Sequence, residues 1–126
     1  MEDSEFAAEV EAAIAELPAD FRAAVDNVAV LVEAFPDADT QHEMALAGPW
    51  DLLGLYRGVP LPERGYGYAG AEPDQVTLYR EPIRAYCADT GESLAECVRV
   101  TLIHELGHYL GYDDAQLEAL EHQGGP

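Results

Sequence analysis

Lysine is absent from this 126-residue chain, and its six basic residues, all arginines, are outnumbered by 25 aspartates and glutamates. The formal net charge is −19. A surface this acidic repels the phosphates of DNA, RNA and anionic lipid, so neither a nucleic-acid partner nor a membrane partner is expected. A cationic or neutral partner is permitted, although acidic, lysine-free composition also arises from genome base bias or salt adaptation. Long apolar runs are missing too: none approaches the roughly 20 residues needed to span a bilayer. The only cysteines, Cys87 and Cys97, are too few for a disulfide framework and lack CxxC spacing. Both are expected to be reduced, buried, small apolar residues. The opening segment MEDSEFAAEVEAAIAELP is acidic. A secretory leader would start basic and then turn apolar, so a cytoplasmic location is expected.

What is present is enough for a packed core. Apolar residues make up 48% of the chain and are spread along it, which predicts one globular domain over residues 1–126. Phe6, Val10, Ile14 and Leu17 recur at steps of four and three, the stripe of an amphipathic helix that Pro18 ends. ADFRAAVDN can form a further short helical turn. VAVLVE (Val28–Glu33), LLGLYRG (Leu52–Gly58) and VTLYR (Val76–Arg80) read as strands. FPDADTQHEMALAGPW between the first two reads as a loop with one turn of helix. The Gly- and Pro-rich VPLPERGYGYAGAEPDQ reads as a long surface loop with a short extended piece at Tyr66–Tyr68. Pro82 can open a short helix through Cys87. Strands and helices mix without regular alternation, which predicts an α+β fold.

The last long helix is well marked. Ser93 followed three residues later by Glu96 forms a capping box, and Gly111 is placed to end the helix left-handed. Between them lies HELGHYLGYDD, starting at His104. At 100° per residue, His108 falls about 40° and Glu105 about 100° from His104, on one side of the helix. Ala95, Val98, Leu102, Leu106 and Leu110 occupy the opposite side and predict an apolar back. Imidazoles one turn apart can bind a single zinc ion, and the glutamate beside them can take a proton from an attacking water. Gly107 allows another segment close approach.

A catalytic zinc site needs a third protein ligand and an open position. A turn at Gly111 lets Asp114 swing its carboxylate back to the ion. Asp113 competes for that role, but Asp113 followed by Gln116 has the spacing of a cap for the final helix, AQLEALEH. Asp114 is therefore the expected ligand and Asp113 the expected cap. Two neutral histidines and one carboxylate leave the site a net charge of about +1, which still acidifies a bound water. Cys97 and Thr101 share the ligand strip. Cys97 is about 10 Å from His104 along the axis, too far for a fourth ligand, and belongs to the core. His42 and His122 are expected at the surface. Tyr66, Tyr68, Tyr79, Tyr109 and Tyr112 could each offer a hydroxyl to a reaction intermediate. Arg64 and Arg80 are expected to pair with surface carboxylates.

The pattern HExxHxxGxxD resembles that of a small bacterial family of zincin-like metallopeptidases, the minigluzincin-like proteins. VDNVAVLVE, LLGLYRGVPLPERGYGYAG and VTLYR extend the resemblance over most of the chain. It implies a small mixed sheet packed against the HExxH helix, with a cleft beside the sheet's edge strand. In zincins that strand can hold an extended peptide, and Val76–Arg80 or Tyr66–Tyr68 would be its counterpart. The chain departs from better-known relatives. Metzincins carry a third histidine where Asp114 stands and a downstream Met-turn, and no methionine follows Asp114 here. Thermolysin-like gluzincins draw a glutamate from a second downstream helix. The expected function is a zinc-dependent peptidase binding one Zn²⁺ through His104, His108 and Asp114, with Glu105 as general base. The second reading is a non-proteolytic zinc-binding or regulatory module on the same scaffold.

Overall fold

The computed structural model describes residues 3–58 and 74–123, apart from the side chains of residues 3, 114 and 120–123. Tyr66–Tyr68 and Arg64 lie outside the described residues. The order is α1 (Asp3–Ala15), α2 (Ala19–Ala24), a 3-10 turn (Val25–Asn27), β1 (Val28–Glu33), α3 (Ala38–Glu43), β2 (Gly54–Arg57), β3 (Asp74–Tyr79), α4 (Arg80–Thr90), α5 (Leu94–Leu110) and α6 (Asp114–Gln123). The fold is α+β, as expected. No helix among the described residues is long and apolar enough to cross a membrane.

The three strands form one mixed sheet in the order β1-β3-β2. β1 runs parallel to β3, with Val28 opposite Asp74 and Glu33 opposite Tyr79. β2 is antiparallel, with Gly54 opposite Leu78 and Tyr56 opposite Val76. This corrects one expectation. Val76–Arg80 is not an edge strand: β3 is the centre of the sheet, which is why Val76, Thr77, Leu78 and Tyr79 are all buried. The described edges are β1 and β2. Strand β3 also starts two residues earlier than its apolar run, at buried Asp74, whose Oδ2 accepts from the Tyr56 hydroxyl at 2.7 Å. Such a bond offsets part of the cost of burying a carboxylate.

Alternation along β2 and β3 puts Gly54, Tyr56, Val76 and Leu78 on one face of the sheet, towards α5. Helix α1 packs on α5 with Phe6, Val10 and Ala13 buried and Ile14 half-buried, and Leu17, just past the helix end, is buried too. α4 begins two residues before Pro82 and runs three beyond Cys87, to a left-handed Gly91. Pro82 sits in its first turn, where a missing N–H costs nothing.

Both caps of α5 stand where expected. Ser93 Oγ accepts from the Glu96 N–H at 3.0 Å, and Gly111 has φ of 90°. The Glu96 carboxylate does not reach back to Ser93. It binds Arg99 at 2.6 Å instead, which holds its pKa below the usual range. Asp113 forms the complete box for α6: its N–H donates to Gln116 Oε1 at 2.9 Å, and its Oδ1 accepts from the Gln116 N–H at 2.8 Å.

Both cysteines are free thiols, Cys97 buried and Cys87 half-buried. Burial pushes the Cys97 thiol up to about 12, and the neighbouring Cys87 adds to the shift. Burial also raises Cys87. The thiolate is the reactive form. At pH 8 the folded protein is expected to leave Cys97 unlabelled by a maleimide and to label Cys87 slowly, with both reacting at once in denaturant. Timed mass spectrometry checks this.

Candidate metal centre

The structure brings His104, Glu105 and His108 together: one ligand atom from each can be chosen such that all lie within 4.8 Å of one another. The imidazole centroids are 4.6 Å apart, with the rings inclined at 69°. His108 Nδ1 is 3.5 Å from Glu105 Oε1. His104 and His108 would hold a zinc ion through their ring nitrogens. Two imidazoles one helical turn apart suit zinc, and the Glu105 carboxylate stands beside them.

The surroundings differ from an apolar back with an open front. α5 is buried over most of its circumference, with Val98, Leu102, Ile103, Leu106, Tyr109, Thr101, Gly107 and Glu105 all buried. The opposite side is not uniformly apolar core, since Ala95 is exposed and Leu110 half-buried. From Cys97 to Tyr109, only Arg99 and a narrow strip bearing Val100, His104 and His108 are part-open, with the His108 side chain 39% exposed. Glu105 is set beneath β2, only 8% exposed.

Two glycines make this packing possible. A Cβ on Gly54 would stand 2.7 Å from Thr101 Cγ2, 3.3 Å from Glu105 Cγ and 3.3 Å from the Thr77 carbonyl oxygen. The Thr101 hydroxyl donates to the Cys97 carbonyl at 2.8 Å, which turns its methyl towards Gly54. Strand β2 therefore lies directly on Glu105. On another side, a Cβ on Gly107 would collide with Leu117 of α6, a fully buried side chain. The expected close approach at Gly107 is thus made by α6. Gly54 was not marked as a site residue by the sequence; its position opening a short β-branched-poor strand gave no signal of what it touches.

Asp113 is occupied by its cap. Asp114 opens α6 immediately after it, at the first helical position; its side chain lies outside the described residues, as does that of His122. His42 is exposed on α3. Of the tyrosines, Tyr66 and Tyr68 lie outside the described residues. Tyr79 is buried among Glu33, Arg57, Asp37 and Thr40, and burial raises its pKa. Tyr109 is buried with its ring 6.1 Å from that of Tyr56. The Tyr112 hydroxyl donates to Asp20 at 2.6 Å and its ring packs on Phe21, away from the strip. Arg80, half-buried, pairs with Glu81 at 3.2 Å.

A pocket of about 230 Å³ opens beside the cluster, lined by Asp51, Leu52, Leu53, Gly54, Val100, Thr101, His104 and Glu105. It shares two residues with the metal cluster, so a molecule seated there lies next to the candidate ligands.

The sequence profile of the zincin-like metallopeptidase family matches residues 25–124. No curated protein matches the chain. Among solved structures, a conserved hypothetical protein from T. thermophilus is similar at 28% identity, over 95% of this chain and 97% of that one, with a TM-score of 0.53.

Two outcomes follow for the centre. His104→Ala and His108→Ala should each weaken zinc binding about 100-fold or more, while Cys97→Ala leaves it unchanged; competition with a chromogenic chelator measures this. Gly54→Ala should cost about 1–3 kcal/mol of stability in urea melts, because backbone and two packed side chains close the space.

Proposed function

The chain belongs to the zincin-like metallopeptidase family, and from that premise we propose that it hydrolyses peptide bonds. His104, His108 and Asp114 would hold one zinc ion, and Glu105 would be the general base. The observation that carries this reading is the convergence of His104, Glu105 and His108 on one part-open strip beside a pocket. When bound there, zinc supplies Lewis acidity, polarising a carbonyl and lowering the pKa of water.

The chain's own residues do the rest. Glu105 projects from α5 beneath β2, with Gly54 against its stem. That restricts its rotamers and leaves the carboxylate next to His108. From there it takes a proton from the attacking water and returns it to the departing amine. Shielding from bulk solvent strengthens the interaction of its charge with that water. Asp114 follows a residue fixed by the reciprocal Asp113–Gln116 bonds, so its Cα is fixed although it stands outside α5. A peptide or protein is the proposed substrate, and the cytoplasm the proposed location.

The test is cleavage of a mixed peptide library by zinc-loaded protein, read by mass spectrometry. Glu105→Gln should retain its zinc and lose turnover about 10²–10⁴-fold. Undiminished cleavage by that variant would sink the mechanism. No cleavage by either protein, with one zinc bound in both, would favour the non-proteolytic zinc module.

A further inference from the structure

We propose that the pocket beside the cluster is a subsite for a lysine or arginine side chain of the substrate, and that Asp51 is its specificity-determining residue. The proposal rests on the peptidase reading for its meaning, but the pocket's preference can be measured without turnover.

Size comes first. At about 230 Å³ the pocket falls below the roughly 300–1,000 Å³ of sites that enclose a whole small molecule. It suits one side chain of a longer ligand. Its walls then divide in two. Leu52, Leu53, Val100 and the Thr101 methyl offer apolar surface, which suits the methylene stem of a long basic side chain. Asp51 and Glu105 supply two carboxylates, and no arginine among the described residues lines the space. An acidic side chain would meet like charge there.

The described arginines that could have neutralised Asp51 have other partners. Arg57 binds Glu43, Arg80 and Arg84 bind Glu81, and Arg99 binds Glu96. Arg22 donates to the Ala15 carbonyl. Asp51 itself is anchored: its Oδ2 accepts from the Gly48 N–H at 3.1 Å. A carboxylate has about four acceptor sites, so one such bond leaves capacity for an ammonium or guanidinium. Because the pocket shares His104 and Glu105 with the cluster, a side chain seated in it places the adjoining backbone at the metal centre. The overall charge of −19 adds attraction for a cationic ligand approaching from solution.

The experiment compares two chelating probes, the hydroxamates of N-acetyl-lysine and N-acetyl-norleucine, binding to zinc-loaded protein by calorimetry. They share the metal-binding group and much of the stem and differ in the cationic tip. The lysine probe should bind about three- to fivefold tighter at low ionic strength, the scale of a solvent-facing charge pair. Salt should shrink that lead. Asp51→Asn should abolish it, while Glu16→Gln, the same charge change at a distant exposed site, should leave it intact. Equal binding, tighter norleucine binding, no binding of either probe, or a lead that survives Asp51→Asn would overturn the proposal. Hydroxamate binding does not need Glu105 to act as a base. A lysine preference without peptide cleavage would therefore count against the peptidase reading alone, and cleavage without the preference against this subsite alone.

Discussion

The structure depends on how closely other elements approach α5. A helix that carries metal ligands must leave them accessible, yet in a chain this short the same helix must also centre the core. Both demands are met because, from Cys97 to Tyr109, the burial of α5 is interrupted only at Arg99 and along the line of Val100, His104 and His108. Strand β2 comes down on one side at Gly54, and α6 comes in on another at Gly107. A side chain at either glycine would push its neighbour outward. The first shift would loosen Glu105; the second would move the segment that starts with Asp113 and Asp114. Packing and chemistry are thus set by the same contacts, and a core mutation at these points is also a site mutation.

Charge is handled with similar economy. The described arginines are tied into ion pairs or backbone contacts near the surface, several of them within one helical turn, such as Arg99 with Glu96 and Arg84 with Glu81. The exposed Arg57–Glu43 pair contributes little to stability, whereas Arg99 is largely buried in its pair with Glu96. Buried Asp74 is treated differently, accepting from the hydroxyl of Tyr56, two residues along β2 from Gly54. The short strand therefore joins two polar positions: it covers Glu105 at one end and satisfies Asp74 near the other.

Features fixed by local chemistry were legible in the sequence. Ser93, Gly111 and the Asp113–Gln116 pair act on backbone groups three or four residues away, so spacing alone reveals them, and the bounds of α5 and the role of Asp113 came out as expected. The HExxH spacing likewise placed His104, Glu105 and His108 together. Features fixed by long-range packing were not legible. Strand order is one: nothing within Val76–Tyr79 distinguishes a buried central strand from an edge, because its neighbours are set by distant segments. The true start at Asp74 was hidden by a polar residue whose partner lies 18 positions away. The burial of Glu105 was missed because a helical wheel assigns sides but not what covers them, and α5 is covered on most. Gly54 carries no signal until its neighbour across the gap is known.

The measurement that reaches furthest into this account is a crystal structure of the zinc-loaded protein with anomalous data at the zinc edge. The account predicts one zinc ion on His104 and His108, completed by an Asp114 oxygen, with its remaining position turned to the pocket bordered by Asp51 and Glu105 and not filled by protein. Zinc closed off by a fourth protein ligand, or bound away from α5, would contradict it.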